Sequence, residues 1–290
     1  MKKIADSELI LNPDGSVYHL KLRPENISDT ILLVGDQGRV ETISKYFTNI
    51  ECKIQSREFL THTGTYNGKR ITALSTGIGT DNIDIVINEL DALVNIDLKN
   101  RCIKEKLTSL NIVRLGTSGA LQGDIPVDNY VMSEYGLGFD GLLNFYKTNK
   151  NIFETEMADA FVRHSEWSSK LAYPYVVKAS DMLMKKLGEG LFKGITATAS
   201  GFYGPQGRQL RIEPLDVELN DKMQTFQYKN NRITNFEMET SALYGLGAVL
   251  GHNTLTICTI IANRVIKQFS EDYKKPVEKM IQLVLDRITA

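Results

Sequence analysis

Five short runs rich in β-branched residues, at 31–34, 71–74, 112–115, 195–199 and 255–261, constrain what this chain can fold into. They are short and largely apolar, as strands buried on both faces are. Helical periodicities lie between several of them. Ile83, Ile87, Leu90 and Leu93 with Val94 mark one helix. Met238, Ala242, Leu243, Leu246 and Leu250 mark another, and residues 277–288 carry a third. Strands alternating with helices predict an α/β fold with a mixed, largely parallel central sheet flanked by helices.

The length of 290 residues suits one large α/β domain, and no linker or internal repeat divides it, so residues 1–290 are read as a single domain. Two stretches carry weaker patterns. Residues 98–110 are polar and basic (Lys99, Arg101, Lys104, Lys106) and either extend a helix or form a surface excursion. Residues 134–175 hold several glycines and the single tryptophan, Trp167, and are read as loops lying partly over the site.

Hydrophobic residues make up 42% and charged residues 24%, with a formal net charge of −1. No broad field favours nucleic acid or an anionic membrane, so an anion site must be a local cluster of arginines. The three cysteines, Cys52, Cys102 and Cys258, lack metal-ligand spacing and suggest free thiols in a reducing cytosol. No long apolar run follows Met1, so neither a signal peptide nor a membrane span is expected, and a cytoplasmic location is.

Gly201-Phe202-Tyr203-Gly204-Pro205-Gln206-Gly207-Arg208 is the most informative stretch for chemistry. A planar ring could rest on Phe202 with its polar edge meeting Gln206, which donates and accepts, and Arg208, which only donates. Uracil has such an edge; alone, the stretch is equally an ordinary turn before a helix. In Leu33-Val34-Gly35-Asp36-Gln37-Gly38-Arg39-Val40 a strand ends at a glycine turn, and a helix is expected to begin near Gly38. Free N–H groups there attract anions, and a bound anion would offset the unfavourable placement of Arg39 in a first helical turn. The plain alternative is a βα turn with a solvated arginine.

Arg114, in Ile112-Val113-Arg114-Leu115-Gly116-Thr117-Ser118-Gly119, interrupts an apolar strand. It cannot enter a core without a charged partner, so it is expected to point toward the strand's carboxyl end, where α/β sheets bind ligands. A structural ion pair is the alternative. Ser75-Thr76-Gly77-Ile78-Gly79-Thr80-Asp81-Asn82 lacks the third glycine of a dinucleotide fingerprint, and Asp81 or Asn82 reads as a helix N-cap. In Glu237-Met238-Glu239, Glu239 either offsets a helix dipole or accepts from vicinal sugar hydroxyls, with Met238 against the sugar. Ile261 lies in an apolar wall before Asn263-Arg264. Ser56-Arg57-Glu58-Phe59 alone suggests a surface ion pair, and His19 alone a surface histidine.

In their order along the chain, from Val17-Tyr18-His19-Leu20 to Asn263-Arg264, these motifs resemble the nucleoside phosphorylase superfamily and, within it, its uridine phosphorylase branch. The resemblance implies a phosphate site of Gly35, Arg39, Arg114 and Thr117, completed by Arg57 of a neighbouring subunit. It implies ribose contacts from Thr117, Met238 and Glu239 with a neighbour's His19, and a uracil site of Phe202, Gln206, Arg208 and Ile261. Gln206, Arg208 and Arg114 would act on the reacting groups. The implied reaction cleaves uridine with inorganic phosphate as co-substrate, without metal or cofactor, in a homodimer or a hexamer built from dimers. Two features depart from the family pattern. Thr80-Asp81-Asn82 stands where relatives carry Pro-Ser beside an interface site for a monovalent cation, and residues 98–110 have no counterpart in compact bacterial members. A purine nucleoside phosphorylase, a water-using nucleosidase and a non-catalytic binding protein are the alternatives.

Overall fold

Strand β1 (Thr30–Val34) is buried along its whole length, and its parallel neighbours are what a non-alternating apolar strand requires. The structure is a computed structural model that describes residues 3–148 and 151–290. Met1 and Lys2, at the start read for a leader, and residues 149 and 150 of the 134–175 stretch lie outside the described residues. After β1 come α1 (Gln37–Ser44), the hairpin β2 (Asn49–Ser56) and β3 (Phe59–Tyr66), then β4 (Lys69–Ser75) and α2 (Thr80–Asn95). A two-stranded pair, β5 (Ile96–Asp97) and β6 (Cys102–Ile103), precedes β7 (Asn111–Ala120) and β8 (Tyr130–Gly138). Helix α3 (Thr155–Ser165), β9 (Tyr175–Lys178), α4 (Asp181–Leu187) and β10 (Phe192–Thr198) follow. The chain closes with α5 (Leu219–Thr225), β11 (Gln227–Tyr228), β12 (Asn231–Glu237), α6 (Thr240–Leu250), β13 (Asn253–Asn263), β14 (Gln268–Phe269) and α7 (Lys274–Thr289).

The main sheet is mixed, in the order β11-β12-β10-β8-β13-β7-β1-β4-β3-β2. Parallel pairing joins β4, β1, β7 and β13 in one block and β8, β10 and β12 in another. An antiparallel contact of β12 with β7 closes β12, β10, β8, β13 and β7 into a ring. That closure brings the end of β12 to the end of β7. The helices cover the sheet with the periodicities expected of them. Ile83, Ile87, Leu90 and Leu93 of α2 are buried, as are Val277, Met280, Ile281, Val284, Leu285 and Ile288 of α7. No helix among the described residues is long and apolar enough to cross a membrane.

Five points of the sequence reading are corrected or decided. Residues 134–175 are not loop throughout: they hold most of β8, the amphipathic α3 and the start of β9. Strand β8 escapes a hydrophobicity reading because Ser133, Glu134, Gly136 and Gly138 interrupt it, and α6 packs close against it; a Cβ on Gly136 would lie 3.0 Å from the Ser241 backbone. The polar stretch 98–110 is the surface excursion and not a helix extension, since α2 stops at Asn95 and the chain turns into β5. Gly79, at φ +102, occupies the N-cap of α2, so neither Asp81 nor Asn82 does. Strand β7 continues to Ala120, which makes Thr117 and Ser118 strand residues, and Met238 precedes α6 and does not belong to it.

Candidate active site

A cavity of about 590 Å³ opens at the carboxyl ends of β1, β4 and β7 and beside the ends of β12 and β13. This is where the parallel α/β rule puts ligands. Gly35 and Arg39 reach it from the β1–α1 turn, and Arg114 and Thr117 from β7. Met238 and Glu239 come from the β12–α6 junction, Ile261 from β13, and Phe202, Gln206 and Arg208 from the irregular segment after β10. Helix α1 does not offer an open N-terminus: the Asp36 carboxylate accepts from Gly38 N at 3.1 Å.

Arg114 is 5% exposed and points along its strand toward the cavity. Gly116 makes that course possible, since a Cβ there would lie 2.2 Å from Arg114 Nη1 and 2.8 Å from Cys258 Sγ. Arg114 pairs with Glu237 at 3.2 Å and with Glu239 through a charge-assisted hydrogen bond. Burial works against its charge, but the two carboxylates outweigh that effect and hold the guanidinium above its ordinary range. Both sequence alternatives therefore describe Arg114: it faces the ligand cavity and sits in a buried ion pair. Its Nε–H remains without a partner among the described residues.

The two glutamates are fixed by their backbone surroundings. Glu237 accepts from Thr198 Oγ1 at 2.7 Å, from Glu239 N at 3.0 Å and from Thr240 N at 3.0 Å, so its carboxylate caps the first turn of α6. Glu239 accepts from Gly79 N at 2.8 Å. Burial, opposed by Arg114 and reinforced by Glu237, raises the Glu239 carboxyl above its ordinary value. Arg39 donates to the Leu115 carbonyl at 3.0 Å, and burial together with the Arg114 charge lowers its pKa. An anion between these two cations would relieve their repulsion. Sequence reasoning gave Glu237 no role; its signal was a carboxylate two residues before Glu239 at a strand end.

Segment 201–208 folds as a tight loop. Gln206 N and Arg208 N both donate to the Tyr203 carbonyl, at 3.0 and 2.9 Å. The side chain of Gln206 is buried, and its Oε1 accepts from Arg208 at 2.5 Å. The Arg208 guanidinium stacks over one face of the Phe202 ring, 3.8 Å from its centroid. Burial, with the nearby Arg264 charge, lowers the pKa of Arg208. Arg264 donates at 2.5 Å to the Gln206 carbonyl and so ties the loop to the end of β13. Asn263 is fully occupied in structure, donating to Gln122 O at 2.8 Å and Ile125 O at 2.9 Å while accepting from Val265 N at 3.0 Å.

Arg57 and His19 do not reach this cavity. Arg57 sits in the β2–β3 turn at φ +53, with its guanidinium 5.6 Å from the Tyr18 ring. His19 meets the same ring edge-on at 4.8 Å, and its Nδ1 lies 2.6 Å from Glu89 Oε1. Asn82 stands where the family resemblance would put an interface cation site. Asn82 Nδ2 donates toward the Ile78 carbonyl at 3.4 Å. Among the described residues no group of three or more His, Cys, Asp and Glu side chains is arranged to hold a metal ion.

The family model described as the phosphorylase superfamily matches residues 29–289. The chain is 28% identical over 281 residues to a uridine phosphorylase of Thermococcus kodakarensis, covering 95% of this chain and 87% of that one. It is 29% identical over 272 residues to a DeoD-type purine nucleoside phosphorylase of Clostridium perfringens, covering 92% and 97%. Its structure superposes on a Trypanosoma brucei nucleoside phosphorylase reported to show uridine phosphorylase activity, with a TM-score of 0.86 and 28% identity over 97% of this chain and 100% of that one.

Proposed function

Because the chain belongs to the phosphorylase superfamily and is a pentosyl-transferring enzyme acting on a nucleoside and phosphate, we propose that its nucleoside is uridine. The reaction is reversible phosphorolysis: uridine and phosphate give uracil and ribose 1-phosphate. The observation that carries this reading is the hydrogen-bonded Gln206–Arg208 pair at the cavity wall, with Gln206 buried and Arg208 partly so. An amide and a guanidinium side by side match the alternating polar edge of a pyrimidine.

In this reading Arg39, Arg114, Gly35 and Thr117 bind phosphate, and Arg57 of a neighbouring subunit completes the set. Glu239 accepts from the ribose hydroxyls, Met238 packs on the sugar, and a neighbour's His19 closes that side. Phe202 and Ile261 enclose the base. The bound phosphate is held below C1′, which removes the entropy of encounter. As the glycosidic bond opens, positive charge grows on the ribose above the phosphate. Negative charge grows on the uracil oxygens, where Arg208 and Gln206 donate. Those bonds strengthen with the charge and so favour the transition state. Arg208 must leave the Phe202 ring when a base enters, a local rearrangement of one side chain. Neither a metal nor an organic cofactor takes part, no monovalent cation is held at Asn82, and the enzyme works in the cytoplasm as a homodimer at least.

The DeoD-type relatives favour a second reading, purine nucleoside cleavage. Against it, Asn263 is engaged in holding the end of β13 and Ala262-Asn263-Arg264 presents no acid for a purine ring nitrogen. A panel of uridine, deoxyuridine, thymidine and inosine, with and without phosphate, tests both readings. Release of uracil that needs phosphate is expected. Faster release of hypoxanthine from inosine would assign the site to purines, and release without phosphate would make the protein a nucleosidase.

A further inference from the structure

The polar excursion between α2 and β7 takes no part in the reaction above, yet it holds the N-terminal segment. Arg101, at φ +57, accepts through its carbonyl from Ile4 N at 2.7 Å. Its guanidinium donates to Ile4 O at 3.2 Å, to Ala5 O at 3.2 Å and to the Leu9 carbonyl, and lies 3.0 Å from the Asp6 carboxylate. The excursion is in turn fastened to the C-terminal end of α2. Thr108 N donates to Asn95 Oδ1 at 2.7 Å, Asn95 Nδ2 to Thr108 O at 3.1 Å, and Lys104 Nζ to Val94 O at 2.8 Å.

The segment held by Arg101 leads straight to His19. Leu11 bridges Val17, and Asn12 closes the intervening turn with its side chain on the Val17 carbonyl at 2.9 Å. Helix α2 then takes hold again. Glu89 accepts from His19 N at 2.9 Å, His19 Nδ1 at 2.6 Å and Leu20 N at 2.8 Å. The turn bearing His19 is thus fixed from both sides, and both fixings rest on one helix. Chain ends stay disordered unless tied down, and ordering them costs conformational entropy. A guanidinium spanning several carbonyls is suited to such a tie because its donors lie in a rigid fork.

We propose that Arg101 is a positioning residue: by clamping residues 4–9 to the excursion it presents His19 to the nucleoside site of a neighbouring subunit. The proposal rests on the reading of His19 as a nucleoside contact. It gives the 98–110 stretch a task in substrate binding rather than in chemistry.

The test uses the full chain with His19→Ala, Arg101→Ala, Arg101→Lys and the double variant His19→Ala/Arg101→Ala. Uridine phosphorolysis and amide hydrogen exchange over residues 3–20 are both measured. Arg101→Ala is expected to speed exchange across residues 3–20 and to raise the KM for uridine about three- to tenfold, the ratio one hydrogen bond is worth, with kcat and the phosphate KM unchanged. Arg101→Lys, which keeps the charge and loses the fork, falls between the two. In the double variant the KM matches His19→Ala alone, because both changes remove one contact. A raised KM in His19→Ala beside a wild-type KM in Arg101→Ala overturns the positioning. A wild-type KM in His19→Ala removes the contact itself, and the positioning with it. Should uridine prove to be no substrate, unchanged exchange at residues 16–20 in Arg101→Ala still overturns the proposal, and faster exchange there supports it.

Discussion

Arg114 shows why single residues were readable and their pairings were not. A cation inside an apolar strand requires a partner, and the buried carboxylates of Glu237 and Glu239 supply it. Glu239 is 125 positions away in the chain, a separation no local pattern predicts. Arg208 is the residue on which the proposed chemistry depends most. In the proposed reaction it faces the position where the leaving base gains charge, and one such donor contributes about 3–4 kcal/mol to a transition state. Arg208→Ala is therefore expected to lower kcat about a hundredfold or more, measured by uracil release at saturating phosphate. Near-normal turnover would remove Arg208 from the mechanism.

At the scale of elements, the long buried helices and the apolar strands were legible because their periodicity is local. The span of β8 was not, since Gly136 and Gly138 answer to the close approach of α6 and Tyr175 and not to a hydrophobic pattern. The excursion could be read as polar but not as a clamp. Element junctions also set two measurable responses. His62 on β3 is buried and lies 2.8 Å from Ser44 Oγ at the end of α1. Burial, then the Lys53 charge, lowers its pKa below the ordinary 6.5. The unfolded chain therefore takes up a proton first on acidification, and stability falls as pH drops below about 6.5 toward the lower folded value. A thermal melt series across that window is expected to show this fall in the wild type and a shallower one in His62→Gln. Equal slopes would assign the pH dependence elsewhere. At the start of α2, the second response follows from the proposal that no cation is held beside Asn82. The melting temperature is expected to be the same in potassium and tetramethylammonium phosphate, and to become potassium-dependent in Asn82→Ser. A wild-type melt that rises with potassium would contradict the assignment.

For the whole molecule, the question is whether one chain makes a complete site. The resemblance assigns Arg57 and His19 to a neighbour's site, and in this chain both lie beside Tyr18, outside the cavity. If each subunit lends these residues to the next, two inactive variants can repair each other. Mixing Arg57→Ala with Arg208→Ala after reversible dissociation would then restore about a quarter of the sites, because half of the dimers are mixed and each mixed dimer holds one intact site. Activity no higher than the average of the two separate variants would place Arg57 outside the partner's site.

Local order along the chain was enough to specify an α/β layering, the identity of the glycine turns and the residue types able to grip an anion and a planar base. Each of these depends on neighbours a few positions away, where chemistry and spacing are written directly. Closure of β12 onto β7 was decided only in three dimensions. That contact brought Glu237 and Glu239 to Arg114 at the cavity. Buried charges are tolerable only in company, and their company is chosen by how distant strands pack.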